Sequence, residues 1–195
     1  MPDEQDPLEL FRDWYARACR SGIVKPHAMA LATTGADGRP ATRMVLMSSF
    51  DERGFVFHTN RNSRKGREIG HMPWVALLFW WDSLGYQVRV EGQAQVTTPE
   101  ASDAYFGQRP RGSQLSAWAA EQSQVVASRA ELEARVAAYE RQYAGRDVPR
   151  PPHWGGYVVY PQAMEFWVSR ENRLHERVRY HRDGDGPWVR ALLAP

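Results

Sequence analysis

A run of cations follows the apolar segment GFVFHT. Arg61, Arg64, Lys65 and Arg67 lie within seven residues of one another, together with Ser63. If a helix begins here, its free backbone N–H groups and the basic side chains would both favour a phosphate group. A solvated charged face is the other interpretation, because most charge runs have that role. The residue types alone leave both open.

The segment YFGQRPRGSQ contains a second group of side chains that could bind an anion. Tyr105, Arg109, Arg111 and Ser113 place a phenol, two guanidinium groups and a hydroxyl around one proline. Such a set can hold a phosphate. An ordinary surface turn is the alternative.

Two further polar residues begin apolar runs. Arg43 begins RMVLM, where burial would require either an anionic ligand or an internal carboxylate as its partner. Gln87 begins QVRV, and its amide could donate to and accept from the edge of a heterocycle. An exposed polar position in a strand is the alternative for Gln87, and it is the commoner case.

Three side chains alternate in the segment RLHER. On a strand, Arg173, His175 and Arg177 would project from one face. Facing water, the three side chains would need no special role. Over a cavity, they could bind an anionic or aromatic substrate, and the histidine adds proton chemistry near neutral pH.

Composition and motifs exclude several classes of function. Lysine plus arginine (25) barely exceeds aspartate plus glutamate (23), so a nucleic-acid partner is not expected. The sequence has no apolar run of the roughly 18 residues that a membrane span needs, and MPDEQDPLEL is acidic where a signal peptide would be basic, which predicts a cytoplasmic protein. The histidines lack metal-ligand spacing such as HExxH, so no metal site is predicted, and neither GxSxG, a P-loop nor a dinucleotide fingerprint occurs.

The hydrophobic periodicity predicts one domain over residues 1–195. An N-terminal helical segment (1–22) precedes strands at AMALATT, TRMVLMSSF and GFVFHT, a short helix in NSRKGREIGHMP that begins at Asn62 or Ser63, and strands at WVALLFWW and YQVRVEGQAQV. A helical insertion (99–146) and C-terminal strands (155–195) follow. Strands, then helices, then strands predict an α+β fold with a mostly antiparallel sheet or barrel.

Seven motifs occur in an order that resembles one known family. From about Leu8 to Pro195, the motifs RMVLM, FHTNRNSRKG, QVRVEG, YFGQRPRGSQLSAWAAEQS, WGGY, EFW and RLHER are similar to those of the pyridoxine (pyridoxamine) 5′-phosphate oxidase family. The resemblance implies an FMN-binding split β-barrel with flanking helices, in a homodimer with FMN at the subunit interface. It also implies oxidation of pyridoxamine or pyridoxine 5′-phosphate to pyridoxal 5′-phosphate, with O2 as electron acceptor and H2O2 as product.

The resemblance also implies roles for individual residues. The residues that it assigns to FMN are Arg43, Met44, Val45, Leu46, His58, Thr59, Arg64, Lys65, Gln87, Gln122, Ser123, Trp167 and Arg177. Those that it assigns to the substrate are Ser48, Tyr105, Arg109, Ser113, Arg173 and His175. Arg173 and His175 are the predicted catalytic residues, because they would hold the pyridine ring against the flavin.

Two departures from the family pattern keep other functions open. Ser48 stands where the family usually has lysine, and a lost charge-assisted contact of about 1.5–3 kcal/mol would weaken binding roughly tenfold to a hundredfold unless Arg109 or Arg111 compensates. Only MPDEQ precedes DPLELF in this sequence, where many members have a basic extension. In both features the sequence resembles the phenazine-biosynthesis oxidases, which are related flavoenzymes. A dihydrophenazine carboxylate is therefore the alternative substrate. A flavin- or pyridoxal-phosphate-binding protein without turnover is the second alternative.

Overall fold

The N-terminal helix packs its apolar face onto the rest of the protein. The computed structural model describes residues 6–195, so residues 1–5 of the predicted N-terminal segment lie outside the described residues. Helix α1 (Pro7–Arg20) begins at Asp6, whose Oδ1 accepts a hydrogen bond of 2.8 Å from the Leu8 backbone N–H. Phe11 on this helix is fully buried and meets the Phe55 ring edge-on, with centroids 4.8 Å apart. Aromatic side chains of α1 therefore belong to the main hydrophobic core.

The centre of the fold is a closed antiparallel barrel of six strands. The strands are β1 (Ala28–Thr34), β2 (Pro40–Asp51), β3 (Gly54–Asn60), β4 (Trp74–Trp81), β5 (Tyr86–Val96) and β6 (Trp154–Val168). They adjoin in the order β3-β2-β1-β4-β5-β6, and pairing of β3 with β6 closes the ring. Two further strands, β7 (Glu176–His181) and β8 (Val189–Leu193), continue the sheet beyond β6. The predicted α+β class and its mostly antiparallel barrel are confirmed.

Four helices join the strands and position the polar segments. Helix α2 (Arg64–His71) connects β3 to β4, while α3 (Pro99–Gly107), α4 (Arg111–Ala119) and α5 (Arg129–Gln142) lie between β5 and β6. A second apolar cluster, which includes Phe106, Leu115 and Tyr143, packs these last three helices against Trp154 at the start of β6. The segment YFGQRPRGSQ is thereby held beside the barrel.

The predicted strand alternation in RLHER is wrong for its first half. Asn172 and Arg173 have φ values of 55° and 64°, in the left-handed region, and the chain turns there. Strand β7 begins only at Glu176, so His175 lies in the connection and Arg177 alone of the three side chains is on a strand. Two consecutive left-handed residues other than glycine are uncommon, which is why alternation failed to predict this turn.

The helices of the described part of the chain, residues 6–195, include none that is long and apolar enough to cross a membrane.

Candidate functional site

A cavity of about 700 Å³ lies between the barrel and the helices α3 and α4. Strands β2 and β3 supply one wall and the YFGQRPRGSQ segment the other. The predicted site residues that line it are Met44, Val45, Leu46, His58, Thr59, Lys65, Tyr105, Arg109, Ser113 and Gln122. The fold therefore brings three residues of RMVLM and three of the four residues of the Tyr105 group, all except Arg111, to one cavity.

Lys65 forms the basic end of this cavity. Its side chain is buried, and Nζ donates to Oε1 of Gln122 (2.7 Å) and to Oγ of Ser63 (3.1 Å). Thr59 donates to the same Gln122 oxygen at 3.1 Å. Burial, together with the nearby charge of Arg43, lowers the pKa of Lys65 to about 8. Lys65 is thus a desolvated cation, and the solvated-surface interpretation fails for it.

The first turn of α2 adds backbone groups to this end. Ser63 caps the helix, with Oγ accepting from the Gly66 N–H at 3.3 Å. The Arg64 backbone N–H donates to Oγ of Ser123 at 3.1 Å, which holds the loop after α4 against the helix start. Of the two predicted helix starts, Asn62 and Ser63, the structure selects Ser63 as the cap.

Glu68 is a central residue of this region that the sequence analysis did not identify. Its buried carboxylate accepts from Arg43 Nη2 (3.0 Å), from Arg64 Nε (2.7 Å) and from Thr33 Oγ1 (2.5 Å). Burial alone would raise the pKa of this carboxyl, but the hydrogen bonds from Thr33, Arg64 and Arg43 lower it. The partner of Arg43 is therefore an internal carboxylate. The spacing of Arg64 and Glu68 on one helix face was the available signal.

Arg109 is a second cation that lines the cavity. Its guanidinium lies over the Trp154 ring, with Cζ 4.6 Å from the ring centroid. Nη1 is buried and has no hydrogen-bond partner within residues 6–195. Burial lowers the pKa of Arg109, which remains a cation. A buried guanidinium N–H without a partner favours an anionic ligand, because leaving such a group unsatisfied is costly.

Ser48 and Arg111 do not face the cavity directly. The Ser48 hydroxyl lies 3.1 Å from the Val56 carbonyl oxygen and 3.0 Å from Nδ1 of His58. Arg111 donates to the carbonyl oxygens of Tyr143 (2.7 Å) and Arg146 (2.9 Å), toward α5. Of the two arginines that could replace the family lysine, only Arg109 lines the cavity.

His58 connects Ser48 to the Tyr105 group. The imidazole stacks on the Tyr105 ring with centroids 3.9 Å apart and an interplanar angle of 11°. Burial and the charges of Arg109 and Arg61 lower the pKa of His58 to about 4, so the ring is neutral at pH 7. It lines the cavity as a neutral aromatic group.

The remaining predicted residues form a second group at the far end of β6. Gln87 and Arg177 both pair with Trp167 across the sheet, and the Trp167 and His175 rings lie 4.5 Å apart. Arg177 binds Glu165 through Nε (2.9 Å) and Nη2 (3.2 Å), and Arg173 is exposed.

The two groups lie far apart along one chain. His58 pairs with Gly156 near the start of β6, whereas Trp167 is next to its last residue. Gly156 and Trp167 are 11 residues apart on this strand, at most about 36 Å at roughly 3.3 Å per residue. None of Gln87, Trp167, Arg173, His175 and Arg177 lines the cavity in the described part of the chain.

Large apolar side chains are exposed beside both groups. Met44 and Leu46 on the cavity wall are 65% and 48% exposed, and Trp80 beside Trp167 is 52% exposed. Exposed apolar surface of this kind indicates an interface with another chain.

Barrel and cavity together define the class, a split-barrel protein of the FMN-binding type. A family model described as "Pyridoxamine 5'-phosphate oxidase" matches residues 16–143, and one described as "Pyridoxine 5'-phosphate oxidase C-terminal dimerisation region" matches residues 154–195. The chain belongs to the pyridoxamine 5′-phosphate oxidase family, and it is an oxidoreductase of that type. The C-terminal match indicates a homodimer.

Similar proteins support this assignment. A pyridoxine/pyridoxamine 5′-phosphate oxidase of Rubrobacter xylanophilus is 57% identical over 98% of this chain and 88% of its own length. The protein of that name from Thermosynechococcus vestitus is 54% identical over 98% of this chain and 90% of its own length. The crystal structure of PhzG from Burkholderia lata 383, in complex with tetrahydrophenazine-1-carboxylic acid, superimposes with a TM-score of 0.93 at 36% identity, covering 99% of this chain and 94% of that one.

Proposed function

We propose that this protein is an FMN-dependent oxidase that converts pyridoxamine or pyridoxine 5′-phosphate to pyridoxal 5′-phosphate, with O2 as electron acceptor and H2O2 as product. The observation that carries the proposal is the pair of desolvated cations that line one cavity, the buried Lys65 and the half-buried Arg109, whose Nη1 is buried without a partner in residues 6–195. A phosphorylated cofactor and a phosphorylated substrate would supply one anion to each. Relatives more than half identical to this chain carry the name of this activity.

The residues at the Lys65 end suit the phosphate of FMN. The Lys65 ammonium group and the Ser123 hydroxyl, which accepts from the Arg64 N–H and can donate its own hydrogen, can together bind a phosphate. When bound, FMN would supply the hydride acceptor, and the protein would supply position and electrostatics.

We infer that each active site is completed by a second copy of the chain. Gln87, Trp167 and Arg177 are family FMN residues, yet they lie far along β6 from the cavity of their own chain. The exposed Met44, Leu46 and Trp80 side chains would be covered in the same dimer. Arg173 and His175 of one subunit would then reach the cavity of its partner.

At the completed site, the residues of this chain would act by binding and orientation. Tyr105, Arg109 and Ser113 would hold the substrate phosphate, and Arg173 with His175 would hold the pyridine ring beside the flavin. Closure by the second subunit would exclude water and strengthen the electrostatic contacts.

A dihydrophenazine carboxylate is the second candidate substrate. It is favoured by the likeness to PhzG and by Ser48, which replaces the family lysine and points to His58 rather than into the cavity. The B6 phosphates remain the first choice, because a substrate without phosphate would give no reason for the Tyr105, Arg109 and Ser113 group.

Anaerobic bleaching of the FMN-loaded protein tests the proposal. Pyridoxamine 5′-phosphate should bleach the flavin absorbance, and O2 should restore it. Bleaching only by a dihydrophenazine carboxylate would establish the second candidate, and flavin binding without bleaching by any candidate would establish a binding protein without turnover. A preparation that cannot be loaded with FMN would contradict both oxidases and a flavin-binding protein, and would leave only a protein that binds pyridoxal phosphate.

A matched pair of variants tests the role of Arg109. Arg109→Met should raise the KM for pyridoxamine 5′-phosphate at least about tenfold, because a charge-assisted contact is lost. Arg111→Met is the control, since its side chain binds carbonyl groups next to α5. Equal effects of the two substitutions would contradict a phosphate site at Arg109.

A further inference from the structure

Ser48 fixes the orientation of the His58 ring. The Ser48 hydroxyl has one hydrogen and two neighbours, the Val56 carbonyl oxygen at 3.1 Å and Nδ1 of His58 at 3.0 Å. A carbonyl oxygen can only accept, so the hydroxyl donates to Val56 and accepts from Nδ1–H. Nε2 is then unprotonated. It faces Gly156, where a Cβ atom would lie only 2.9 Å from it. The hydrogen bond at Nδ1 therefore orients the imidazole, and the close approach of Nε2 explains why a residue larger than glycine does not fit at position 156.

The face of the same imidazole supports Tyr105. The two rings are nearly parallel at 3.9 Å, and Trp154 is nearly parallel to both, with its centroid 5.3 Å from His58 and 6.3 Å from Tyr105. Arg109 lies over the Trp154 ring. The phenol and the guanidinium that would meet the substrate phosphate are thus oriented by one aromatic group, of which His58 is a member.

We propose that His58, oriented by Ser48, is a positioning residue for the substrate phosphate, which it serves by fixing the Tyr105 phenol beside Arg109. This inference rests on the proposed function. It gives the imidazole a role on the substrate side, although the family resemblance assigns His58 to FMN. Ser48 acts one residue further away, without touching the substrate.

The positioning should not change across the working pH range. The charged groups that act on His58 are Arg109 and Arg61, and the side chains that contact its ring are the uncharged Ser48, Tyr105 and Trp154. With a pKa of about 4, the imidazole keeps one protonation state from pH 6 to pH 9.

Three variants of the FMN-loaded protein separate stacking from orientation. His58→Ala removes both and should raise the KM for pyridoxamine 5′-phosphate about fivefold to tenfold, with kcat within about twofold and FMN affinity unchanged. His58→Phe keeps the stacked ring, and Ser48→Ala keeps the imidazole, so each should raise KM by a smaller factor. The ratio of variant to wild-type KM should be constant from pH 6 to pH 9. An unchanged KM in His58→Ala, or FMN affinity that falls with it, would overturn the proposal.

A double-mutant cycle excludes a merely structural role. In a protein that already carries Tyr105→Phe, His58→Ala should raise KM little further, because the hydroxyl that His58 positions is already absent. When His58→Ala is combined with Ser113→Ala, the increase in KM should instead equal the product of the two single increases. Multiplicative effects in the Tyr105 cycle would overturn the inference.

Calorimetry with inorganic phosphate distinguishes this inference from the proposed function. Phosphate should bind the FMN-loaded wild type and bind His58→Ala more weakly. If it does so while neither B6 phosphate bleaches the flavin, the proposed function fails and the positioning role stands. If phosphate binds both proteins equally, the positioning role fails, whatever the substrate.

Discussion

Lys65 donates a hydrogen bond of 2.7 Å from Nζ to Oε1 of Gln122, and this bond connects helix α2 to the loop that follows α4. The bond gives the buried cation a neutral partner, so its charge remains available to a phosphate group. Glu68, the nearby carboxylate, is instead bonded to Arg43 and Arg64.

The pKa of Lys65 predicts that FMN affinity depends on pH. The ammonium group loses its proton near pH 8 in the flavin-free protein, and the charged form binds phosphate better. Raising the pH from 7.5 to 9 should therefore weaken FMN binding by up to about tenfold. Fluorescence titration measures the dissociation constant. Riboflavin, which lacks the phosphate, should show little of this dependence, and Lys65→Gln should remove it. The same pH dependence in Lys65→Gln would contradict the assignment.

Glu68→Gln should destabilise the protein by removing the shared negative charge. Arg43 and Arg64 would lose their counter-ion, at a cost of about 2 kcal/mol, which is below that of a fully buried pair because Arg64 is largely exposed. Bound FMN should reduce the loss, since its phosphate partly replaces the carboxylate. Chemical denaturation of both proteins with and without FMN measures the loss of unfolding free energy in each state.

The matched control is Glu133→Gln. Glu133 pairs with Arg129 at the same helical spacing, but both side chains are exposed, so the change should stay within about 0.5 kcal/mol. A Glu68→Gln effect no larger than this would show that the shared charge contributes little to stability.

The sequence predicts most of the fold because the strands and helices carry strong local signals. The apolar run WVALLFWW forms strand β4, and Ser63, whose hydroxyl can cap a helix, was one of the two predicted starts of α2. The left-handed turn at Asn172 and Arg173 had no glycine to indicate it, so the strand was predicted too early.

The candidate site was less predictable because its geometry depends on long-range pairing. Arg109 and Arg111 are of one residue type and two positions apart, yet only Arg109 lines the cavity. The separation of Trp167 from the cavity follows from the register of β6 with its neighbours, and residue types alone do not fix that register. Glu68 was missed because exposed pairs with the same spacing are common on helices.

His58 should make the protein sensitive to mild acid. Its pKa is about 4 in the folded chain and about 6.5 in the unfolded chain, so the unfolded state binds a proton first as the pH falls. The stability contributed by the neutral ring is fully present above pH 6.5 and is lost as the pH falls toward 4. Denaturation midpoints should therefore fall more steeply between pH 6.5 and 4.5 in the wild type than in His58→Phe. The exposed His181 provides the control, and His181→Phe should keep the wild-type slope. Equal slopes in all three proteins would contradict the lowered pKa.

Mixing two defective subunits tests whether each site is shared between chains. Arg109→Met disables the cavity group, and Arg173→Asn disables the second group with a residue that tolerates the left-handed backbone at that position. Each homodimer should have little activity alone. After the two are unfolded and refolded together, random pairing makes half of the dimers mixed, and each mixed dimer has one site with both groups intact. Activity should therefore recover to about a quarter of the wild-type value. If both groups of a site came from one chain, every site would keep one substitution, and mixing would restore nothing.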